Sequence, residues 1–265
     1  MTRLSIGQAW DETKDVFRRD GNLIVIVALA LMVLPGTLAA LVAPQPASGQ
    51  MPGLGRGTLI SFVTLVIGII GQLAVSRVAI GHRQTVGQAI GEAARRTPSY
   101  LGAQFLWLLP FALLIVPFAL QIQANPTAPP PAASMAVLVL SIVFLFFAVR
   151  LLLSTPIAAA ELLGPIGILK RSWNLTRGRW WRLFGFLIVF LIGLVVLGGG
   201  VAAILGVLVS LVLGPPEPMS VGALIVALGS QLVSAAMTVL LMIMLARIYL
   251  QLSGEAQPAS VPHAP

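Results

Sequence analysis

Between Arg171 and Gly185 the chain reads RSWNLTRGRWWRLFG, four arginines and three tryptophans in fifteen residues. Guanidinium groups beside aromatic rings can grip nucleic acid, stack on a ligand, or hold a helix at a membrane surface. A second pair lies upstream, Arg150 and Glu161, with ten residues and Pro156 between them. A charge set into an apolar run needs a partner. Glu161 comes within reach of Arg150 if Pro156 breaks the helix and folds the following segment back. That pair is open to three uses: a structural tie, a lipid-phosphate or substrate site, and a solvated pair.

The elements that would position these residues narrow the choice for the first stretch. Trp173 falls on the apolar face of an amphipathic helix, and Trp180 and Trp181 fall where the next apolar run begins. Rings at headgroup depth, with Arg171, Arg177, Arg179 and Arg182 beside lipid phosphates, are what interfacial anchoring requires. A dedicated anionic-headgroup site is the alternative. No nucleic-acid motif accompanies the basic residues, so no nucleic-acid partner is expected.

Catalytic chemistry finds no footing. The chain has no cysteine, and its two histidines, His82 and His263, stand far apart in sequence. No nucleophile–base pair or metal spacing emerges. GLGRG at Gly53–Gly57 lacks the preceding strand a phosphate loop needs and reads as a linker. The expectation is no enzyme, no metal and no cofactor.

Composition sets the class. Only 9% of residues are charged against 58% hydrophobic, with mean hydropathy +0.98, where a soluble domain carries about 25% charged residues. Such a chain cannot cover itself with polar surface, so it is an all-α integral membrane protein. Six apolar runs are long enough to cross a bilayer: Leu23–Val42, Leu59–Ile80, Leu101–Ile122, Met135–Ala158, Leu183–Leu213 and Val221–Leu250. Gly198-Gly199-Gly200 marks a place for the fifth to tilt, kink or break. Pro110 and Pro117 mark kinks in the third, with Pro35 matching them in the first. Gln72, Gln104 and Gln231 read as interhelical hydrogen-bond groups.

The net charge of +8 is unevenly placed. The connections Pro44–Gly57, Gln123–Ser134 and Gly214–Ser220 hold a single basic residue, Arg56. Since basic residues are retained on the cytoplasmic side, both termini are expected there, in a bacterial inner membrane. Arg77, Arg150 and Arg247 each lie near the cytoplasmic end of a returning span. For Arg77 and Arg247 the expectation is snorkelling to the interface, where they join Trp10, Trp180 and Trp181 as anchors.

An internal repeat organises these features. SIGQAWDE at Ser5–Glu12 and TVGQAIGE at Thr85–Glu92 lie 80 residues apart, each opening with a capping-box pattern. Apolar or small residues recur at Ile6, Ala9, Trp10, Thr13, Val16 and Phe17, and at Val86, Ala89, Ile90 and Ala93, along one helix face. A third copy begins at Gly164, with Ile168, Leu169 and Ser172 on that face. Residues 1–250 therefore read as one domain of three helical hairpins (about 5–82, 85–158 and 164–250). Each is preceded by a cytoplasmic amphipathic helix, and 251–265 form a disordered cytoplasmic tail.

The stretch from Arg150 to Leu187 resembles the membrane domain of bacterial glycerophosphoryl diester phosphodiesterases, a group that includes stand-alone proteins without a catalytic part. The likeness is carried by Arg150, by Pro156, Glu161, Gly164 and Pro165, and by Arg171-Ser172-Trp173 followed by Leu175-Thr176-Arg177-Gly178. Hydrolysis in fused members belongs to a separate barrel domain that this sequence does not contain. The resemblance implies an architecture and an association with glycerophospholipid metabolism, not an activity. The functional expectation is a non-enzymatic inner-membrane protein that binds phospholipid or scaffolds a lipid-related membrane partner. The alternative is a small transporter with its site near Arg150 and Glu161.

Overall fold

The computed structural model describes residues 5–42, 56–81, 85–125, 127–214 and 220–254. The connection 43–55, His82–Gln84, most of Gly214–Ser220 and the tail from residue 255, with His263, lie outside the described residues. Among the described residues every regular element is helical: α1 Ile6–Ala28, a π-helical turn Leu29–Val33, α2 Leu34–Val42, α3 Arg56–Ile80, α4 Val86–Ala124, α5 Pro131–Arg150, α6 Ser154–Ala160, α7 Pro165–Thr176, α8 Trp180–Leu213 and α9 Val221–Ser253. Six helical stretches are long and apolar enough to cross a membrane: Ile6–Val42, Gly57–Ile80, Val86–Ala124, Pro131–Ala160, Trp180–Leu213 and Val221–Ser253. The chain is a multi-pass membrane protein.

Several helices outrun the apolar stretches that announce them. The polar first segment runs unbroken from α1 into the first span, and α4 passes from Val86 to Ala124 through Pro98, Pro110 and Pro117. Ahead of Pro35, which has no N–H to give, the backbone shifts into the π-helical turn, where the Leu34 N–H reaches the Leu29 carbonyl. The glycine run Gly198–Gly200 does not break α8. Only the third polar segment, α7, is separated from its span, and Gly178 makes that corner with φ +76.

Pro156 acts one turn upstream of itself. Its ring and missing N–H are incompatible with a helix running through the Leu152 carbonyl. The break accordingly falls at Leu151–Leu153, and Pro156 sits in the first turn of α6.

Helices α1, α3 and α9 pack on one another; α4 packs on α3 and α5, and α8 on α9. Helix α6 is inserted among α3, α4, α7 and α9, with Ser154–Ala159 all buried. The packed core sits at the end of the bundle holding Arg77, Arg150 and Arg247. There Leu73–Ala79 of α3 and Ile248–Leu252 of α9 are buried. Toward the other end the same helices show Leu59, Phe62, Val63 and Leu224, side chains that face acyl chains in a bilayer.

The first and last helices meet at the packed end. The Ser5 hydroxyl caps α1 by accepting from the Gln8 N–H, as Thr85 caps α4. In α4 the Gln88 side chain completes the box by accepting from the Thr85 N–H. In α1 the corresponding N–H of Ser5 instead donates to Gln251 Oε1 at 3.2 Å. Gln251 is therefore buried within α9, which ends at Ser253 with Gly254 left-handed behind it, so the helix extends three residues into the stretch read as tail.

Candidate functional site

The break at Leu151–Leu153 and the short buried α6 create the site, because they bring polar backbone into the packed end of the bundle. Carbonyls at the C-terminus of α6 need donors there. Arg77 of α3 donates through Nη1 to the Ala159 carbonyl at 2.8 Å. Arg96 of α4 donates through Nη1 to the carbonyls of Ala158 (3.2 Å) and Glu161 (3.0 Å). Cations at a helix C-terminus also meet the negative end of its dipole. Glu92, on the half-exposed side, stands 4.0 Å from Arg77 and 3.9 Å from Arg95.

Glu161 follows α6 directly. Its Oε1 accepts from Arg171 Nε of α7 at 3.0 Å and from the Tyr249 hydroxyl of α9 at 2.8 Å. The hydrogen bond to Glu161 raises the Arg171 pKa above that of a free guanidinium. At the other end of α6, the Tyr100 hydroxyl and Thr155 Oγ1 share a hydrogen bond of 2.9 Å. The chain has two tyrosines, and both hold this one segment.

Arg150 and Glu161 are not paired. Arg150, the last residue of α5, lays its guanidinium over Trp173 of α7 (4.9 Å to the ring centre) and Phe146 (5.5 Å). Its Nε and Nη1 are buried and have no hydrogen-bond partner among the described residues. Its carbonyl, freed by the end of α5, accepts from Ser172 Oγ (3.0 Å) and Thr176 Oγ1 (3.1 Å). The break that was to bring Arg150 to Glu161 instead sends Glu161 past it, across α6, to α7 and α9.

The other residues picked out from the sequence divide. Trp180 stacks on Phe184 and Phe146 and donates Nε1 to the Phe146 carbonyl at 3.3 Å. Trp181 stands edge-on to it and 78% exposed, and Trp10 is exposed on α1. Arg177 and Arg182 lie on the exposed surface at the α7–α8 corner, and Arg179 reaches the Leu175 carbonyl at 3.4 Å. Arg77 does not snorkel: at 4% exposed it is inside the protein, because the α6 carbonyls need it there. Arg247 is half-buried rather than free at the interface; its Nε is enclosed without a partner among the described residues, within electrostatic range of Glu12, Asp15, Arg19 and Asp20 on α1.

Sequence reasoning missed Arg96, Tyr100, Lys170 and Tyr249. The rarity of tyrosine was the available signal; nothing local to Arg96 or Lys170 distinguishes them. Lys170 lines a groove of about 420 Å³ with Trp107, Phe147, Leu151, Leu169, Trp173 and Asn174. The site thus gathers six basic side chains (Arg77, Arg95, Arg96, Arg150, Lys170 and Arg171) around two carboxylates, Glu92 and Glu161. That excess can attract an anion, and the aromatic groove can take an apolar chain. Among the described residues no group of three or more His, Asp or Glu is placed to hold a metal ion.

Comparison with curated proteins and with solved structures finds no match to this chain. One family model does match, and it takes in all six spans together with α6 and α7. By that match, over residues 4–252, the chain belongs to the family described as Domain of unknown function (DUF7847).

Proposed function

We propose that this protein is a non-enzymatic, multi-pass protein of a bacterial inner membrane that binds anionic phospholipid at the cytoplasmic end of its bundle, where it presents lipid to, or scaffolds, a lipid-handling partner. The observation that carries this is Arg150. Two of its N–H-bearing nitrogens are enclosed without an acceptor beneath Trp173, a ring that also lines the groove entered by Lys170. A phosphate supplies acceptors and charge to Arg150 and Lys170, and an acyl chain covers Trp107 and Phe147.

Orientation follows from the basic residues gathered at this end, which belongs inside the cell with both termini. The polar helical segments beginning at Ser5, Thr85 and Gly164 are three editions of an amphipathic interfacial helix, each leading one of three hairpin repeats. Support comes from their buried faces: Ala9, Thr13 and Val16; Ala89, Ala93 and Thr97; Ile168, Ser172 and Leu175. The likeness of 150–187 to the phosphodiesterase membrane domain supports a role near glycerophospholipids. The transport alternative, which also drew on the internal repeats and kinkable spans, has one of its three motives weakened, since Glu161 is engaged by Arg171 and Tyr249 rather than by Arg150.

Native mass spectrometry of the full chain with mixed lipids tests this. Anionic lipid should be retained over zwitterionic lipid. Arg150→Ala should weaken that retention roughly tenfold, the equivalent of about 1.4 kcal/mol, as expected for losing one charged hydrogen bond. Equal retention of the two lipid classes by the unaltered protein refutes it.

A further inference from the structure

A second cavity, of about 520 Å³, lies between α2, α3 and α9, lined by Gly36, Ser61, Thr64, Gln231, Ser234 and Thr238 among others. It is well separated from the arginine-rich end. Thr64 precedes Arg77 by thirteen residues along α3, roughly 20 Å at 1.5 Å per residue. At that depth, side-chain hydrogen-bonding groups have no bulk water to turn to. Several threonine hydroxyls elsewhere in the bundle close on the backbone. The hydroxyls of Thr13, Thr37, Thr97 and Thr176 each donate to the carbonyl four residues earlier, and Thr238 does the same at the cavity wall.

Ser61, Thr64, Gln231 and Ser234 are different. They converge on the cavity from α3 and α9, and among the described residues none makes a side-chain hydrogen bond. Gln231 is moreover given room by its neighbour: a methyl group on Gly36 would stand 2.6 Å from Gln231 Oε1. A carboxamide placed against a glycine, together with three open hydroxyls, forms a set of groups that both donate and accept.

We propose that this cavity binds a small uncharged polyol. Among the described residues the lining carries no Lys, Arg, Asp or Glu, so an ionic solute would enter without a counter-charge at high cost. It also carries no aromatic ring on which a flat ligand could stack. Adjacent hydroxyls of a polyol match the donors and acceptors that the four side chains leave open. This binding is independent of the phospholipid site, which lies on other elements.

The absence of cysteine makes the test direct. Ala40→Cys, on the cavity wall but outside the hydrogen-bonding set, in membranes containing the full chain, is labelled with a hydrophilic methanethiosulfonate in the presence of glycerol, xylitol or glucose. The charged counterparts are gluconate and glucose 6-phosphate. A bound neutral polyol slows labelling by a factor of one plus the ligand concentration over Kd, on the order of threefold at about twice Kd. The charged solutes leave the rate unchanged, and Lys14→Cys, exposed on α1, is unaffected by either class. Adding Gln231→Leu abolishes the protection. Gly36→Ala, which needs only the flexible end of Gln231 to move, weakens it in a fold-preserving background.

Three results overturn the proposal. Labelling that no polyol slows means a hydrated void without a binding site. Protection equal for neutral and charged solutes means non-specific shielding. No labelling at all means a cavity closed by packing or by a partner helix.

Discussion

Replacing Glu161 by Ala removes the acceptor at which three elements meet: the end of α6, Arg171 of α7 and Tyr249 of α9. The two lost hydrogen bonds are unequal. The Arg171–Glu161 pair is partly open, with side chains 40% and 26% exposed, and after screening such a pair contributes about 0–1 kcal/mol. Tyr249 is 0% exposed, so its hydroxyl loses a carboxylate acceptor inside the bundle, a cost of about 1–3 kcal/mol. The sum predicts destabilisation of about 1–4 kcal/mol, with its centre near 2.5 kcal/mol. Glu161→Gln retains a carbonyl oxygen for Tyr249 and should cost about 1 kcal/mol. Tyr249→Phe removes the donor together with its need for an acceptor and should also fall near 1 kcal/mol. Equilibrium unfolding of the purified protein in mixed micelles, followed by the fluorescence of its five tryptophans, measures all three. If Glu161→Ala lies within about 0.5 kcal/mol of the unaltered protein and of Glu161→Gln, the carboxylate does not tie α6 to α7 and α9.

Gly102 of α4 gives room to the first turn of α7: a Cβ there would stand 2.9 Å from Pro165 Cγ. Because the Pro165 ring cannot swing away, Gly102→Ala should cost about 1–3 kcal/mol in the same unfolding assay. Gly91→Ala on the same helix, which meets nothing within 4 Å, should stabilise by up to about 1 kcal/mol. Gly178→Ala places a side chain at φ +76 and should cost about 1–2 kcal/mol, while lipid retention stays unchanged if only the corner is strained. A reporter active only outside the cytoplasm, fused after residue 254, should remain silent if both ends lie inside; strong activity there reverses the orientation.

Much of the frame was legible because hydrophobicity announces itself one residue at a time. The six apolar runs and the helix starts at Ser5 and Thr85 could be read locally: a span needs only length and apolar content, and a cap only a hydroxyl. The ends of the elements were less legible. Nothing in the run to Val42 says that α1 continues without a break, nor that a π-helical turn absorbs Pro35. Pro156 was visible as a breaker, yet its effect falls at residues 151–153, because proline obstructs the carbonyl four residues before it.

Pairing was hidden for a different reason. Arg150 and Glu161 are near in sequence and both charged, which made them natural partners. Which acceptor a buried donor finds depends on elements that arrive from far along the chain. Tyr249 comes from 88 residues away to meet Glu161, and Arg77 from 82 residues away to meet Ala159. Gln231, legible as a membrane-embedded amide, has its meaning set by Gly36 and by two hydroxyls on another helix. Residue types and their order are enough to specify a helical, multi-span membrane protein with its basic residues gathered at one set of helix ends, because burial and charge act residue by residue. The insertion of α6 into the packed end, the satisfaction of its carbonyls by Arg77 and Arg96, and the placing of Arg150 beneath Trp173 without an acceptor among the described residues emerge from the packing of the helices. Hydrogen bonds are short and directional, and which ones form is settled only when distant helices are packed together.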